Sequence, residues 1–306
     1  MIVGPTAVGK TEIAIELAER FSGEIVSADS RLFYRGMDIG TAKPSAEERR
    51  GVLHHLIDVA DPNQPWSLAE FQAQAAVVIA EIQNRGNVPF LVGGTGQYIR
   101  AVVEGWVVPR VEPDTRLREA LEAWATEIGS DGLHARMGVL DPQAAAEIDA
   151  RNLRRTVRAL EVIFSTGRRF SAQRQTGALT YHALLFGLNR PRPELYARID
   201  ARIERMIQDG LVEEVQTLLN RGYPADLPAF SAIGYKEMIA HLRGTISLEE
   251  AVRQMKSNSH LYVRRQANWF KADDPSINWF TVGPQTVGEL EKLISQFLES
   301  FDSMLK

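Results

Sequence analysis

The segment Gly4–Thr11 constrains most strongly what this chain can fold into. It follows the short apolar run Met1–Val3 and opens a helical pattern over Lys10–Phe21. Its residues fit G-x-x-x-x-G-K-[ST] at every fixed position, and they are Gly4, Pro5, Thr6, Ala7, Val8, Gly9, Lys10 and Thr11. Glycines let backbone N–H groups converge on phosphate oxygens, Lys10 and the helix N-terminus add positive charge, and Thr11 offers a hydroxyl to Mg²⁺. The pattern therefore predicts a phosphate-binding loop between a strand and a helix, and ATP is only its commonest occupant.

Strand and helix patterns alternate from Met1 to about Arg110, which indicates a parallel sheet covered on both faces. The strands predicted there are Met1–Val3, Glu24–Ala28, Leu53–Val59 and Val88–Val92, and the helices are Lys10–Phe21, Ser67–Arg85 and Thr95–Glu104. Ser67 with Glu70, and later Ser247 with Glu250, have the spacing of a capping box.

Residues 112–176 show helical patterns without strands. Beyond them we predict strands at Tyr181–Leu188 and Ile277–Val282, and helices over Arg192–Arg221, Gly234–Leu242, Ser247–Lys271 and Thr286–Leu305. The best boundary candidates are Pro109–Pro113 and Arg174–Thr180. The predicted fold is α/β: a P-loop NTPase-like parallel-sheet core, residues 1–110 and 178–306, with a helical insertion domain at 111–177.

The composition excludes several classes of protein. The chain is 44% hydrophobic and 24% charged, as in ordinary globular proteins, and no apolar run reaches the roughly 18 residues that a spanning helix needs. The first residues lack a basic region and a long apolar stretch, so no secretory signal is predicted. Cysteine is absent, which excludes disulfides and a cysteine-based zinc site. We expect a cytoplasmic protein that binds no membrane and, without an obvious apolar seam, a monomer.

Positive charge is concentrated in two stretches of an otherwise acidic chain. Residues 151–174 hold seven arginines and one acid, Glu161, while residues 251–272 hold five basic residues and no acid, giving +6 and +5. Since the whole chain carries −4, the remainder carries −15. The first stripe is Arg151, Arg154, Arg155 and Arg158, opposite Leu153, Val157, Leu160 and Phe164; the second is Arg253, Lys256, His260, Arg264 and Lys271, opposite Met255, Tyr262 and Trp269. Either these are solvated amphipathic helices or they contact a phosphate backbone.

Two further positions follow predicted strands, at the edge of the sheet where ligands of α/β proteins bind. Asp29 is suited to bind Mg²⁺ or to act as a base, with capping of a turn as the alternative. Thr95 follows Gly93 and Gly94, whose pairing suggests a backbone pressed close to a ligand, and N-capping is the alternative for Thr95. The run His54–Asp58 resembles a Walker-B strand but lacks a following glutamate, so no hydrolytic base is evident.

Several segments together resemble the tRNA dimethylallyltransferases, from Gly4 to about residue 282. They are Gly4–Thr11, Asp29–Pro44, Gly93–Tyr98, Arg158–Val162, Ile233–Glu237 and Arg264–Phe270. The resemblance implies transfer of a dimethylallyl group from dimethylallyl diphosphate to the 6-amino group of the adenosine 3′ of the anticodon, with the phosphate loop holding diphosphate rather than ATP. It departs at Leu32-Phe33, where many relatives have Gln-Val. The absence of cysteine excludes the zinc finger of eukaryotic relatives and suggests a bacterial member.

The resemblance also implies roles for individual residues. Asp29 is expected to be the general base, and Thr95 the donor to the bridging oxygen of the departing diphosphate. Charge on that group is expected to be neutralised by Lys10, by Thr11 with Mg²⁺, and by Arg202 in preference to Arg198.

Contacts with the anticodon stem-loop of tRNA are expected at residues in four segments. They are Asp29, Ser30, Arg31, Leu32, Arg154, Arg155, Arg158, Phe230, Gly234, Tyr235, Arg264 and Arg265. Phe33, Tyr34 and Phe230 are candidates for stacking on a splayed base, with core packing as the alternative.

Two other functions share these features. A small-molecule or nucleotide kinase would use the same phosphate loop and Mg²⁺ without needing basic helical faces. An RNA-binding module gated by a nucleoside triphosphate would bind nucleotide and RNA without catalysing a reaction.

Overall fold

The computed structural model describes residues 1–107, 109, 111–173, 175–176 and 181–304. The chain divides into two compact units, one formed by Met1–Val102 with Tyr181–Lys306 and the other by Val103–Thr180. The predicted boundary Arg174–Thr180 lies largely outside the described residues, as does part of Pro109–Pro113. The predicted domain limits at 111–177 therefore stay a prediction.

A six-stranded parallel sheet forms the centre of the first unit. Its strands are β1 (Ile2–Val3), β2 (Gly23–Ser27), β3 (His54–His55), β4 (Val88–Gly93), β7 (Phe186–Asn189) and β8 (Asn278–Thr281), in the order β3-β2-β4-β1-β7-β8. The two-residue strand β1 lies in the middle, where Ile2 pairs with Val92 on one side and Phe186 on the other. The predicted α/β class is confirmed, and the carboxyl ends of β1, β2 and β4 meet at one edge of the sheet.

Helices complete the first unit. They are α1 (Lys10–Arg20), α2 (Leu68–Asn84), α3 (Gly96–Val103), α8 (Arg192–Gln208), α9 (Leu211–Asn220), α10 (Tyr235–Leu242), α11 (Leu248–Gln266) and α12 (Thr286–Met304), with a 3₁₀ turn at Pro228–Ser231. The predicted capping box of α2 is present, because Ser67 accepts from the N–H of Glu70 and Glu70 accepts from that of Ser67. At α11 only the bond from the N–H of Glu250 to Ser247 forms, since the carboxylate of Glu250 accepts from Arg253 and Gln254 instead.

Several predicted elements are shorter than expected. The strand predicted over Leu53–Val59 is reduced to His54–His55, because Leu56 and Asp58 adopt positive φ angles of 59° and 56° that end an extended strand. Helix α11 ends at Gln266 rather than Lys271, and the strand predicted over Tyr181–Leu188 begins only at Phe186.

The second unit is mainly helical. Its elements are β5 (Trp106–Val107), α4 (Thr115–Leu140), α5 (Pro142–Glu147), α6 (Leu153–Thr166), α7 (Phe170–Gln173) and β6 (Gln175–Thr176). Strands β5 and β6 form an antiparallel pair, so the prediction that 112–176 contains no strand is wrong at its last two residues. A separate core packs α4 against α5 and α6, with Leu133, Met137 and Leu160 at most 1% exposed.

Candidate active site

The predicted phosphate-binding loop lies between β1 and α1, as its sequence requires. Gly4 and Gly9 adopt φ angles of 149° and 107°, which side-chain-bearing residues rarely take. A Cβ on Gly4 would lie only 2.4 Å from the carbonyl oxygen of Leu188 on β7. The first glycine therefore allows the loop to pass against the neighbouring strand, and the second allows the sharp turn into α1.

Two arginines hold the outer, carbonyl side of this loop. Nε of Arg198 donates to the carbonyl oxygen of Ala7 over 2.8 Å, and Nε of Arg190 donates to that of Val8 over 2.9 Å. These bonds leave the N–H side of the loop to face the cavity, where an anion would bind. The side chain of Arg198 is thus a support for the loop.

Lys10 and Arg202 place positive charge beside the loop. The ammonium of Lys10 donates to the carbonyl oxygens of Gly4 and Pro5 over 3.0 and 2.8 Å. Burial lowers the pKa of Lys10 to about 8, and the nearby charge of Arg202 acts in the same direction while Asp29 opposes it. Desolvation and the charge of Arg198 lower the pKa of Arg202. Positive charges that raise each other's free energy in this way favour binding of an anion.

Asp29 and Thr95 meet at the carboxyl ends of β2 and β4. One carboxylate oxygen of Asp29 accepts from the backbone N–H of Arg31 over 3.0 Å, and the hydroxyl of Thr95 accepts a long bond of 3.5 Å from the N–H of Ser30. The hydroxyls of Thr95 and Tyr262 are also hydrogen-bonded to each other. Desolvation and the charge of Asp29 raise the pKa of Tyr262 to about 12, so this phenol stays protonated at neutral pH.

Tyr262 is a site residue that the sequence pattern misplaced. Heptad spacing assigned it to the apolar side of α11 with Met255 and Trp269, yet it is 39% exposed and lines the cavity. Helix α11 crosses the carboxyl edge of the sheet, which brings this ring to Thr95 from a distant part of the sequence.

The paired glycines before Thr95 allow close contacts with other parts of the protein. A Cβ on Gly93 would lie 2.3 Å from the carbonyl oxygen of Ala28, and one on Gly94 would lie 2.4 Å from Nε2 of Gln266. Gly93 also lines the cavity, so the interpretation that these glycines lie close to a ligand stays a prediction. They admit the adjacent strand end and a buried glutamine.

One cavity of about 1850 Å³ is lined by several of these groups, although Thr95 is not among its lining residues. Its lining includes residues of the phosphate loop, Asp29 to Leu32, Arg198, Arg202, Tyr262 and Arg265. A further wall is formed by Asp38–Arg50, whose first seven residues, 38–44, belong to the family-like segment Asp29–Pro44.

Glu214 on α9 holds that wall in place. Its carboxylate accepts from the backbone N–H groups of Asp38, Ile39 and Gly40 over 2.7–3.2 Å, and from the hydroxyl of Tyr235 over 2.5 Å. Burial and the charge of Glu214 raise the pKa of Tyr235. A Cβ on Gly40 would lie 2.5 Å from the Tyr235 ring. No local pattern marked Glu214, because the backbone groups that it binds lie far away along the chain.

The prediction of RNA contacts around Phe230–Tyr235 needs correction. Tyr235 is completely buried against Glu214, Phe230 is 2% exposed and stacked on Tyr235, and Gly234 is buried with its N–H bound to Glu237. These groups support the cavity wall from behind. The exposed neighbour Ser231 accepts instead from Arg31, whose guanidinium also contacts the carbonyl oxygen of Ala229.

The stacking candidates lie in the core, the alternative that the sequence left open. Phe33 is fully buried and packs on Phe71 and Tyr98, with ring centroids 5.9 and 5.8 Å apart. Tyr34 is 8% exposed. Leu32, in contrast, is half-buried and lines the cavity.

The two basic stripes are only partly available to a ligand. On α11, Lys256 pairs with Glu204 and His260 with Asp200, both on α8, so this face is not the free stripe predicted. Arg264 and Arg265 are exposed. On α6, Arg154 is exposed, while Phe164, predicted to be buried, is 51% exposed.

Arg158 is held inside the second unit. It pairs with the fully buried Glu161, which also accepts two bonds from Arg118, and it donates to the carbonyl oxygen of Val111. Burial opposes ionisation of Glu161, but the bonds from Arg118 and Arg158 prevail and lower its pKa.

In the part of the chain that the structure describes, no cluster of three or more His, Cys, Asp or Glu side chains could hold a metal ion by itself. Oxygen donors do face the cavity at Thr11 and Asp29. This set fits Mg²⁺, which prefers oxygen ligands and commonly takes one or two from protein with the rest from phosphate and water. No helix among the described residues is long and apolar enough to span a bilayer.

Similarity to known proteins covers nearly the whole chain. A family model described as IPP transferase matches residues 32–273, and one described as isopentenyl transferase matches residues 1–61. The tRNA dimethylallyltransferase of Roseiflexus sp. (strain RS-1) is 53% identical over 88% of each chain, and that of Roseiflexus castenholzii is 48% identical over 98% of each.

Solved structures agree with this assignment. The tRNA isopentenylpyrophosphate transferase of Bacillus halodurans matches with a TM-score of 0.73 and 42% identity, covering 99% of this chain and 97% of that one. A eukaryotic dimethylallyltransferase acting on tRNA matches with a TM-score of 0.75 and 25% identity, covering 93% of this chain and 74% of that one. With its family model matched from residue 32 to 273 and relatives about half identical over most of their length, this chain belongs to the IPP transferase family.

Proposed function

We propose that this protein transfers a dimethylallyl group from dimethylallyl diphosphate to the 6-amino group of the adenosine 3′ of the anticodon in tRNA, releasing diphosphate. One observation carries the proposal: in a chain of the IPP transferase family, the phosphate loop, Asp29 and Arg202 line the same cavity. The relatives described above are named as tRNA-modifying transferases, which does not favour the kinase alternative.

The diphosphate binds at the N–H side of the phosphate loop. Lys10 and Arg202 supply positive charge there, while Arg198 stays on the carbonyl side and supports the loop. This division of labour favours Arg202 over Arg198 as the group that touches diphosphate. The hydroxyl of Thr11 would hold Mg²⁺ beside the diphosphate, where the ion would neutralise further charge.

The chemical step exchanges a C–O bond for a C–N bond. The 6-amino nitrogen attacks the first carbon of the dimethylallyl group, the bond from that carbon to the diphosphate oxygen breaks with its electron pair, and a proton passes from nitrogen to the carboxylate of Asp29. Thr95 donates to the bridging oxygen as its charge develops. A well-placed base typically contributes about 10²–10⁴-fold, and a donor to developing charge about 10²–10³-fold.

The anticodon loop reaches this cavity with its target base splayed out, as an enzyme acting on a base requires. Contacts with RNA come from Asp29, Ser30, Arg31 and Leu32 at the cavity, from Arg264 and Arg265 on α11, and from Arg154 and Arg155 on α6. We also propose that the protein works in the cytoplasm and as a monomer.

The test is mass spectrometry of unmodified tRNA incubated with the protein, Mg²⁺ and dimethylallyl diphosphate. A gain of one dimethylallyl unit on the expected adenosine supports the proposal. ATP consumption without that gain would favour the kinase, and RNA binding without any reaction would favour the gated binding module.

The role of Asp29 is tested with Asp29→Asn, which retains an oxygen to accept from the N–H of Arg31 but removes the base. Transfer should fall about 10²–10⁴-fold, with tRNA affinity within about twofold. The control is Asp226→Asn, at an exposed aspartate outside the cavity, which should leave both unchanged. A loss of tRNA affinity that matches the loss of transfer would contradict the assignment.

A further inference from the structure

The side chain of Gln266 joins the two loops that the proposed reaction depends on. It is 5% exposed and lies at the end of α11. Its Oε1 accepts from the backbone N–H of Thr6 over 2.9 Å, and its Nε2 donates to the carbonyl oxygen of Gly94 over 3.1 Å. One amide therefore bonds the phosphate loop with one end and the loop before Thr95 with the other.

The loop before Thr95 leaves room for this amide at Gly94. Gly94 lacks the Cβ that would lie 2.4 Å from Nε2, and the next nearest atom to that Cβ is 3.4 Å away. The structure gives Gly94 no positive φ, so conformational freedom is not what requires glycine there. Two buried polar atoms of one side chain are satisfied at once, which specifies its position closely.

The neighbours of these bonds are the groups proposed to act on diphosphate. Thr6 is inside the phosphate loop, four residues before Lys10, and Gly94 directly precedes Thr95. Gln266 itself does not line the cavity. The N–H of Thr6 is also occupied by the glutamine, which leaves later N–H groups of the loop to cradle phosphate.

We infer that Gln266 is a positioning residue that sets the separation between the phosphate loop and the Thr95 hydroxyl. The inference rests on the proposed function, because it concerns where the departing diphosphate lies relative to Thr95. If the two loops shift relative to each other, diphosphate on the phosphate loop loses its contact with the Thr95 hydroxyl, so it binds less tightly and its bridging oxygen is no longer stabilised as it departs. Misplacement by about 1 Å can cost about 10²-fold in rate.

The first test compares Gln266→Met, which keeps the length of the side chain and removes both bonds, with Gln254→Met on the same helix. Gln254 donates to Glu250, away from the two loops. We expect Gln266→Met to lower kcat for transfer about 10- to 100-fold with tRNA affinity unchanged, and Gln254→Met to match the wild type. If Gln266→Met keeps the wild-type kcat, the side chain only fills space and the inference is overturned.

The second test is a double-mutant cycle on the Gly94 contact. In the wild type, Gly94→Ala forces the amide of Gln266 out of place and should lower kcat about as much as Gln266→Ala does. In the Gln266→Ala background the clash with Nε2 is gone, and the next atoms, the carbonyl oxygen of Gly4 at 3.4 Å and Nζ of Lys10 at 3.6 Å, lie at ordinary contact distance from the added methyl. Gly94→Ala should then cost less than about twofold more. Losses that multiply would overturn the inference. Circular dichroism and the thermal midpoint establish that each variant is folded.

Failure of the two hypotheses can be told apart in the same series. If the wild type shows no transfer to tRNA, the proposed function fails, and the cycle is then evaluated on affinity for inorganic diphosphate with Mg²⁺ by calorimetry. Non-additive losses of affinity there support the coupling through Gln266, and additive losses overturn it. If the wild type is active and the cycle is additive, only the role of Gln266 fails.

Discussion

Helices α6 and α11 carry the densest positive charge in the chain, but their cations bind different partners in the structure. On α6, Arg158 is bound to Glu161, a fully buried acid of its own helix. On α11, Lys256 and His260 are bound to acids of α8, while Arg264 and Arg265 extend into solvent near the cavity. Similar local charge therefore does not mean similar availability, since the acids within reach, on the same helix or on a neighbouring one, decide which cations remain for a ligand.

The exposed cations Arg264 and Arg265 are suited to bind the phosphates of a nucleic acid. A cation already paired with an acid releases little further free energy when a phosphate replaces that acid. An unpaired cation exchanges only its counterions, and the release of phosphate counterions makes binding depend on salt. Four perturbations test this division of charges, and the first two concern cations that are buried or held.

The largest effect is expected at the acid that holds Arg158. Glu161→Gln should destabilise the protein by about 1–3 kcal/mol, because it weakens the charge-assisted hydrogen bonds from Arg118 and Arg158 to a fully buried side chain. Urea denaturation followed by far-ultraviolet circular dichroism measures it, with the exposed Glu119→Gln as the control. A loss no larger than that of the control would show that the pair contributes little.

The sign of the pH dependence follows from the lowered pKa of Glu161. Its contribution to stability is complete above the ordinary pKa of a glutamate and is lost as pH falls through the lowered value. In Glu161→Gln, the free energy of unfolding should therefore fall less steeply as the pH is lowered through that range.

The second effect concerns Lys10, a half-buried cation at the phosphate loop. Since its pKa is about 8, binding of diphosphate above that pH requires uptake of a proton. Affinity for inorganic diphosphate should fall as pH rises, approaching about tenfold per pH unit well above 8. Lys10→Arg, whose guanidinium stays charged, is the control and experiences the same ionisation of diphosphate itself. Parallel profiles for the two proteins would refute this origin.

The third effect concerns the exposed pair at the end of α11. Neutralising Arg264 and Arg265 together should weaken tRNA binding and reduce the slope of log affinity against log salt by about 1.4 to 1.8, at about 0.7–0.9 per phosphate contact. Within α6, Arg154→Gln should reduce the slope more than Arg158→Gln. An unchanged slope in the double variant would remove α11 from the RNA surface.

The smallest effect is expected at a cation that is already paired. Lys256→Gln should leave the salt slope unchanged and cost about 0–1 kcal/mol of stability, because its partner Glu204 is largely exposed. A slope reduced as much as by Arg264→Gln would mean that the ion pair opens for RNA.

Much of the fold and part of the site could be predicted from local patterns. The phosphate loop, the α2 capping box and the alternation of strands and helices depend on neighbouring residues, and the structure confirms them. The approach of Asp29 to Thr95 could also be predicted, because the ends of parallel strands meet at one edge. Glu214, Tyr262 and Gln266 could not, because the loops that they contact belong to the opposite end of the sequence.

Helical periodicity failed in an instructive way at α11. It separates two faces of a helix without saying what covers each face, so it assigned Tyr262 to the core and Lys256 to the solvent. In the structure, α8 covers the basic face with acids, and the opposite side borders the cavity.

The amino-acid sequence by itself determined the phosphate loop, the parallel sheet and the family to which the chain belongs, since these depend on short motifs and local conformational preference. Only the tertiary structure decided which basic side chains remain free, which aromatic rings are buried, and how Gln266 links Thr6 to Gly94. Those outcomes depend on burial and on hydrogen bonds between distant segments, whose free energy exists only once the helices have packed on the sheet.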